Sequence, residues 1–321
     1  MKGIRLLFAC LALLILSTAL NSAPAGVTFQ KAEGRIDVLI DGKPFTSYYF
    51  SPDLPRPYFH PLRSGDGRVI TRGFPMISDA PGEDKDRDHP HHRSCWFTHG
   101  DVNGVDYWSA ESAKIPGRIV NRAVTEVKDG GKKGVLGMAM DWIDNTGRKV
   151  MSQKEEVTFS GEGENRYMDF DIRLTAEGLD VKFGDTKEGS FSVRLATPLK
   201  ERNGGVILNS KGAVGMKNCW GKKAEWVDYS GELSGSKIGV AMMDHPGNLR
   251  YPTTWHVRDY GLFAANPFGL RDFTGDKTQD GSYLLQSGKT LRFQYRILIH
   301  PGDAAQAKIE DEYKIYLRDV K

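Results

Sequence analysis

The chain has 321 residues, 39% of them apolar and 26% charged, with a formal net charge of +3 at neutral pH. So even a balance offers no electrostatic footprint for nucleic acid. Three cysteines leave the fold to rest on its core, and the length is ample for a large one.

Lys2 and Arg5 precede an apolar run from Leu6 to Leu20, and small residues follow at Ser22, Ala23 and Ala25. This is the pattern of a secretory signal cleaved after Ala25 or Ala23, so residues 1–25 read as signal peptide and 26–321 as one mature domain in the periplasm or outside the cell. The run of about fifteen residues falls short of the ~20 that a bilayer span needs, and no stable membrane insertion is expected after cleavage. Cys10 sits too early in the run for lipidation there to remove it. Cleavage takes away Lys2 and Arg5 and brings the charge to about +1. It leaves Cys95 and Cys219, either as a pair or as two separate buried thiols.

Beyond the signal the patterning is that of strands. Arg35–Ile40, the turn pair Asp41-Gly42 and the segment from Pro44 to Phe50 form a hairpin. His60 stands before Pro61 and three residues from Arg63 on an extended, proline-rich segment, where it reads either as a satisfied histidine or as a ligand contact.

The stretch from Asp88 to Trp108 is the richest in chemistry, with four of the eight histidines. Pro90 makes His89-Pro90-His91 a loop that feeds a strand from roughly Arg93 to His99. Alternation sets His91, Arg93, Cys95, Phe97, His99 and Asp101 on one side and His92, Ser94, Trp96 and Thr98 on the other. At about 3.3 Å per residue, His91 and His99 lie roughly 26 Å apart and cannot share one ligand. The site is therefore at the entrance, with His89, His91, His92 and Arg93, or at the exit, with His99 and Asp101. The entrance gathers more titratable groups on a constrained loop and is preferred.

Val135 to Ile143 turns at Asp144-Asn145-Thr146-Gly147 and returns from Val150 to Phe159. Met168, Phe170, Ile172 and Leu174 then alternate with polar residues, as do Phe191, Val193 and Leu195 with Ser192, Arg194 and Ala196. If the polar face of that second strand lines a cleft, Arg194 can hold a carboxylate or an oxyanion. His245, before Pro246, most simply shapes a turn. On a strand from Trp255 to Tyr260, His256, Arg258 and Tyr260 share a face with the first two roughly 7 Å apart, which places an acid or base beside a fixed cation. Trp108, Trp220 and Trp255 are either core residues or walls that stack on sugar rings. Leu291, Phe293, Tyr295, Ile297 and Ile299 form a buried face opposite Arg292, Gln294, Arg296, Leu298 and His300. A helix capped by Asp303 and carrying Ile309, Tyr313, Tyr316 and Leu317 follows. Short turns between strands imply antiparallel pairing, so the expected fold is all-β, a large antiparallel β-sandwich with a C-terminal helix.

The Asp88–Trp108 run resembles the signature of a secreted bacterial family labelled "methane oxygenase PmoA". So do Phe59-His60-Pro61-Leu62-Arg63, Gly184-Asp185-Thr186-Lys187-Glu188-Gly189, Asp244-His245-Pro246-Gly247-Asn248 and the segment from Trp255 to Gly269. The resemblance spans most of the mature chain. It implies a galactose-mutarotase-like β-supersandwich and carbohydrate chemistry. It makes Glu188 the carboxylate for acid–base work, and its motifs carry Lys187 and Asn266 into the site. The label itself implies a redox metal and a membrane location.

Three readings compete: a periplasmic sugar-active enzyme of epimerase, lyase or glycoside-cleaving type, a non-catalytic carbohydrate-binding sandwich, and a metal-dependent oxygenase component. The wealth of histidines and arginines favours the first. In it one of His91 and His92 forms an acid–base couple with His256, Glu188 is a second base, and Arg93, Arg194 and Arg258 hold the oxyanion. His60, Arg63, His99, Asp101, Lys187, Trp220, His245, Trp255 and Asn266 are further substrate contacts. No cofactor is required. A divalent metal is the lesser alternative, because no spacing matches a metal motif, and no glycine-rich nucleotide loop opens a helix. The sequence sets neither the sugar nor the oligomeric state.

Overall fold

The computed structural model describes residues 26–320, so the expected signal peptide and Cys10 lie outside the described residues. Two eight-stranded sheets account for most of it. The first runs in the order Val27–Ala32, Arg35–Ile40, Lys43–Tyr49, Tyr58–Phe59, Cys95–His99, Gly189–Arg194, Leu262–Ala265 and Trp255–Val257. The second runs Val206–Asn209, Trp226–Leu233, Ser236–Asp244, Thr290–Pro301, Asn165–Ala176, Lys149–Glu162, Lys133–Ile143 and Arg118–Lys128. All the strand pairings are antiparallel. Val181–Phe183 and Tyr283–Leu285 form a separate two-stranded ribbon.

The expected first hairpin forms, with Asp41 and Gly42 both at positive φ, +52° and +72°, the twist that suits a two-residue turn. The sheets meet through aromatic rings. Phe59 touches Phe159 and Phe170 at 5.9 and 5.8 Å, and Phe191 touches Phe170 at 4.6 Å. Phe97 reaches Trp142 at 6.4 Å. Such pairs contribute about 0.5–1.5 kcal/mol each beyond the area they bury. Cys95 and Cys219 both belong to this core as unpaired thiols, and the Cys219 thiol donates to the Ala213 carbonyl at 3.2 Å.

Two expectations need correction at the C-terminus. The helix spans Ile309–Asp319 and starts from Lys308 at φ +52°, while Asp303 caps the preceding turn by accepting the Gln306 N–H at 3.0 Å. It lies on the outer face of the second sheet, where Ile309, Tyr313 and Tyr316 cover Trp226, Met243 and Leu298. Consequently the face of Thr290–Pro301 expected to be wet is sealed, with Gln294, Arg296, Leu298 and His300 all buried. Alternation identifies two faces, but it does not say what comes to cover the second.

His300 sits there with Nδ1 at 3.1 Å from the Pro301 carbonyl and Nε2 at 2.7 Å from Asp228 Oδ2. Both oxygens only accept, so both ring nitrogens donate and the ring is an imidazolium. Burial opposes that charge, but the Asp228 carboxylate outweighs it and raises the pKa. The stabilisation is therefore complete below the ordinary histidine value of about 6.5 and is lost as pH rises through the raised one. Urea unfolding of wild type and His300→Gln between pH 5.5 and 9 should show a wild-type advantage that shrinks with pH. A gap independent of pH would mean that the ring is neutral.

Among the described residues, no helix is long and apolar enough to cross a membrane.

Candidate active site

Four adjacent strands of the first sheet carry the site on the face away from the core. Register places Trp96, Ser192, Ala264 and His256 side by side across them. The two middle residues are small, and the gap above them is where an indole fits. Trp108 fills it: its ring lies 5.3 Å from Trp96, 5.6 Å from His92 and 6.4 Å, nearly parallel, from His256. The His91 ring is also 6.4 Å from Trp108, so His91 and His256 are at most twice that distance apart. Segments more than 160 positions apart in sequence thus share one surface.

Beside this row the histidine loop is tightly wound. His89 and Ser94 stand at φ +46° and +61°, and the His92 N–H donates to the His89 carbonyl at 3.0 Å. The left-handed backbone is costly for non-glycine residues and must be held from outside. Two fully buried arginines do so. Arg56 donates to the carbonyls of His91 and Tyr107, and Arg72 donates to those of Asp88 and His89, both at 2.9 Å. The turn stacks His89 on His92 at 4.8 Å and sets His91 edge-on to His92 at 4.5 Å, while Tyr260 closes the stack 5.0 Å from His89.

Ion pairs lie beneath. Arg194, fully buried, donates to Asp88 at 2.7 Å, to Asp86 at 3.2 Å and to His92 Nδ1 at 2.9 Å. Asp86 is also held by Lys200 and by the Thr197 hydroxyl, and Asp88 by Arg72 at 2.7 Å. Burial alone would raise the Asp88 carboxyl; contact with His89, Arg194 and Arg72 holds it far below the usual carboxylate range. A guanidinium cannot accept, so His92 carries its proton on Nε2. Burial and Arg194 push its pKa well below the ordinary value. Burial, with Arg56 beside it, lowers His91 to about 4.

His256 has the opposite tautomer. Its Nδ1 lies 2.7 Å from the Lys187 carbonyl and must donate, which leaves Nε2 as an acceptor. Burial lowers its pKa to about 3, so it too is neutral at ordinary pH. His89 differs from these rings: it is partly exposed, and its Nδ1 lies 2.8 Å from Asp88 Oδ2, off the axis of an ideal hydrogen bond but close enough to orient the imidazole. Trp220 packs edge-on to His256 at 4.9 Å, and Arg258 lies over Trp220 and Tyr260 at 5.2 and 5.3 Å. Arg93, paired with Glu111 at 2.9 Å and lying over Tyr58, borders the loop on its other side.

A family model matches residues 35–314, the family being described as one of unknown function, DUF6807. The chain belongs to the DUF6807 family. No curated protein matches it in sequence. Among solved structures it is similar to a GH36 α-galactosidase from Geobacillus stearothermophilus in complex with raffinose, at 11% identity and a TM-score of 0.40, over 86% of this chain and 40% of that one. It is also similar to a galactose mutarotase related enzyme from Lactobacillus acidophilus, at 9% identity and a TM-score of 0.35, over 85% of this chain and 97% of that one. The chain spans about two fifths of the α-galactosidase.

In this DUF6807 chain the segment from Gly184 to Gly189 is an anchored loop that presents Glu188. His99 Nε2 donates to the Gly184 carbonyl at 2.8 Å, and Asn266 Nδ2 donates to the carbonyls of Thr186 and Lys187, both at 3.0 Å. Both glycines sit where a Cβ would collide, at Gly184 with the Asp101 carboxylate and at Gly189 with the His99 ring. Lys187 and Glu188 are half-buried, and their side chains pair at 3.2 Å.

The structure therefore divides the expected substrate contacts. His91, Arg93, Lys187, Glu188, Trp220, His256 and Arg258 come together. His99 and Asn266 are buried and hold the loop, and Asp101 turns back on the Gly104 N–H at 2.9 Å. Arg194 lies sealed under the histidines, where no oxyanion reaches it. Trp255 is a core residue whose indole donates to the Ala224 carbonyl at 2.9 Å. His245 packs on Tyr316 at 5.7 Å, against the C-terminal helix. His60 is buried beside Tyr49, and Arg63 reaches only the Gly67 carbonyl. Asp88, Trp96 and Tyr260 were missing from the expected contacts, and His89 and Trp108, expected at the strand entrance and among the possible stacking walls, had been given no role of their own. Tyr260 shares its alternation with His256 and Arg258, which was the available signal.

Among the described residues, no group of three or more histidine, cysteine, aspartate or glutamate side chains is placed to hold a metal ion. The clustered imidazoles meet face to face and edge to face, whereas ligation needs converging in-plane lone pairs.

Proposed function

We propose that this face is the active site of an exported enzyme that performs acid–base chemistry on a sugar. The observation that carries the reading is the meeting of the Asp88–His92 loop with His256 and Arg258, in which Arg194 and the Lys187 carbonyl hold His92 and His256 in opposite tautomers and His89 lies against Asp88. Fixed donors and acceptors around one half-buried surface are what a polyhydroxylated ring demands. His91 and His256, neutral across the ordinary pH range, bind hydroxyl groups. The proton transfer belongs to His89, oriented by Asp88, with Glu188 as the second acid–base group. His92 is a positioning residue, because its Nδ1 is occupied by Arg194.

The test is a screen of purified protein against oxidised and unoxidised glycosides, followed by nuclear magnetic resonance for epimerisation, elimination or cleavage. Turnover of a glycoside supports the reading. Saturable binding with no turnover of any of them makes the face a carbohydrate-binding site instead, and absence of both rejects it.

A further inference from the structure

The charges around the face do not balance. Asp86 and Asp88 answer three cations, Arg72, Arg194 and Lys200, while Glu111, with Asp106 also acting on Arg56, answers Arg56 and Arg93. Glu188 is occupied by Lys187. Arg258 adds a further positive charge, and it differs from the other guanidiniums here. It has no carboxylate within ion-pair distance among the described residues; its buried Nε lacks a hydrogen-bond partner, as those of Arg56, Arg72 and Arg194 also do. Its place is nonetheless secured. The backbone N–H donates to the Leu262 carbonyl at 2.8 Å, the carbonyl accepts from the Tyr229 hydroxyl at 3.3 Å, and the guanidinium is clasped by Trp220 and Tyr260. Aromatic faces hold a cation without consuming its N–H donors. A planar fork kept in place with its donors free, beside a surplus of positive charge, is a receptor for a carboxylate.

We propose that the sugar taken by this site is an acidic one, a hexuronic acid or its glycoside, and that Arg258 receives its carboxylate. This rests on the sugar reading of the same face. The surplus charge is local, since the whole sequence carries a net charge of only +3. The neutral imidazoles of His91 and His256 then meet ring hydroxyls while the guanidinium fork meets the carboxylate.

Isothermal titration with methyl glucuronide and methyl galacturonide, each against the matching neutral methyl glycoside, tests the assignment. At least one acidic ligand should bind about 10-fold or more tighter than its neutral counterpart. Arg258→Met should remove that preference, so that acidic and neutral glycosides bind within about threefold of each other, and Arg258→Lys, which keeps the charge but not the fork, should restore only part of it. Equal binding of acidic and neutral glycosides overturns the acidic-sugar assignment and leaves the sugar site standing. Sodium sulfate competing as strongly as the uronides also overturns it, by showing a general anion site. Binding of none of these glycosides removes both the assignment and the function on which it rests. The melting temperature of each variant guards against misfolding, and if Arg258→Met unfolds, Arg258→Lys carries the comparison alone.

Discussion

Replacement of His89 by alanine should lower turnover of the sugar substrate roughly 10²- to 10⁴-fold, the usual loss for a general acid–base group. Its side chain is 38% exposed, so the melting temperature should move by only a few degrees. His91→Ala and His256→Ala should act differently: each removes an acceptor for a hydroxyl and should weaken binding before it slows chemistry. His89→Ala combined with His256→Ala separates one site from two, because groups that serve one bound ring are non-additive. Full multiplication of the two effects, or a His89→Ala enzyme within threefold of wild type, would sink the assignment of proton transfer to His89.

The largest stability effect should come from Arg194→Met. The methionine fills most of the space but leaves the buried Asp86 and the partly exposed Asp88 short of a cation they share. Breaking a buried ion pair from one side typically costs about 3–5 kcal/mol. Acid should narrow the difference. The folded-state pKa of Asp88 is depressed, so its stabilisation is present above the unfolded value of about 3.9 and is lost as pH falls below it. Urea unfolding at pH 7 and at about pH 3 measures both. A loss under 1 kcal/mol at pH 7 would show that Arg72 and Lys200 suffice alone.

Much of the sandwich was legible in the sequence, because period-two alternation and Asp-Gly turns are local signals. The outer face of Thr290–Pro301 was misread because the helix that covers it arrives from later in the chain. At the site the histidine loop and the His256 face were visible, since proline and strand alternation are local too. The bonds that assign roles were not. His99 and His256 look equally functional in sequence; each is bonded to a loop carbonyl, but His99 also meets Ser190 through its second nitrogen, whereas His256 presents Nε2 as an acceptor. Arg194 was placed on the polar face of its strand, but the loop folds over that face and turns the arginine into a foundation. His89 was placed at the entrance but given no role, because its position depends on a left-handed backbone that the buried Arg56 and Arg72 sustain.

The row of Trp96, Ser192, Ala264 and His256 also bears on how the protein matures. Two of its three junctions, Trp96 with Ser192 and Ser192 with Ala264, close long stretches of chain, and such pairings form late because loop entropy is spent before they return anything. Trp108 finds its seat only once those junctions exist. A partly folded chain therefore displays no complete row of these residues. Competence appears together with the last distant strand pairing, which makes ligand binding a direct assay for completed folding.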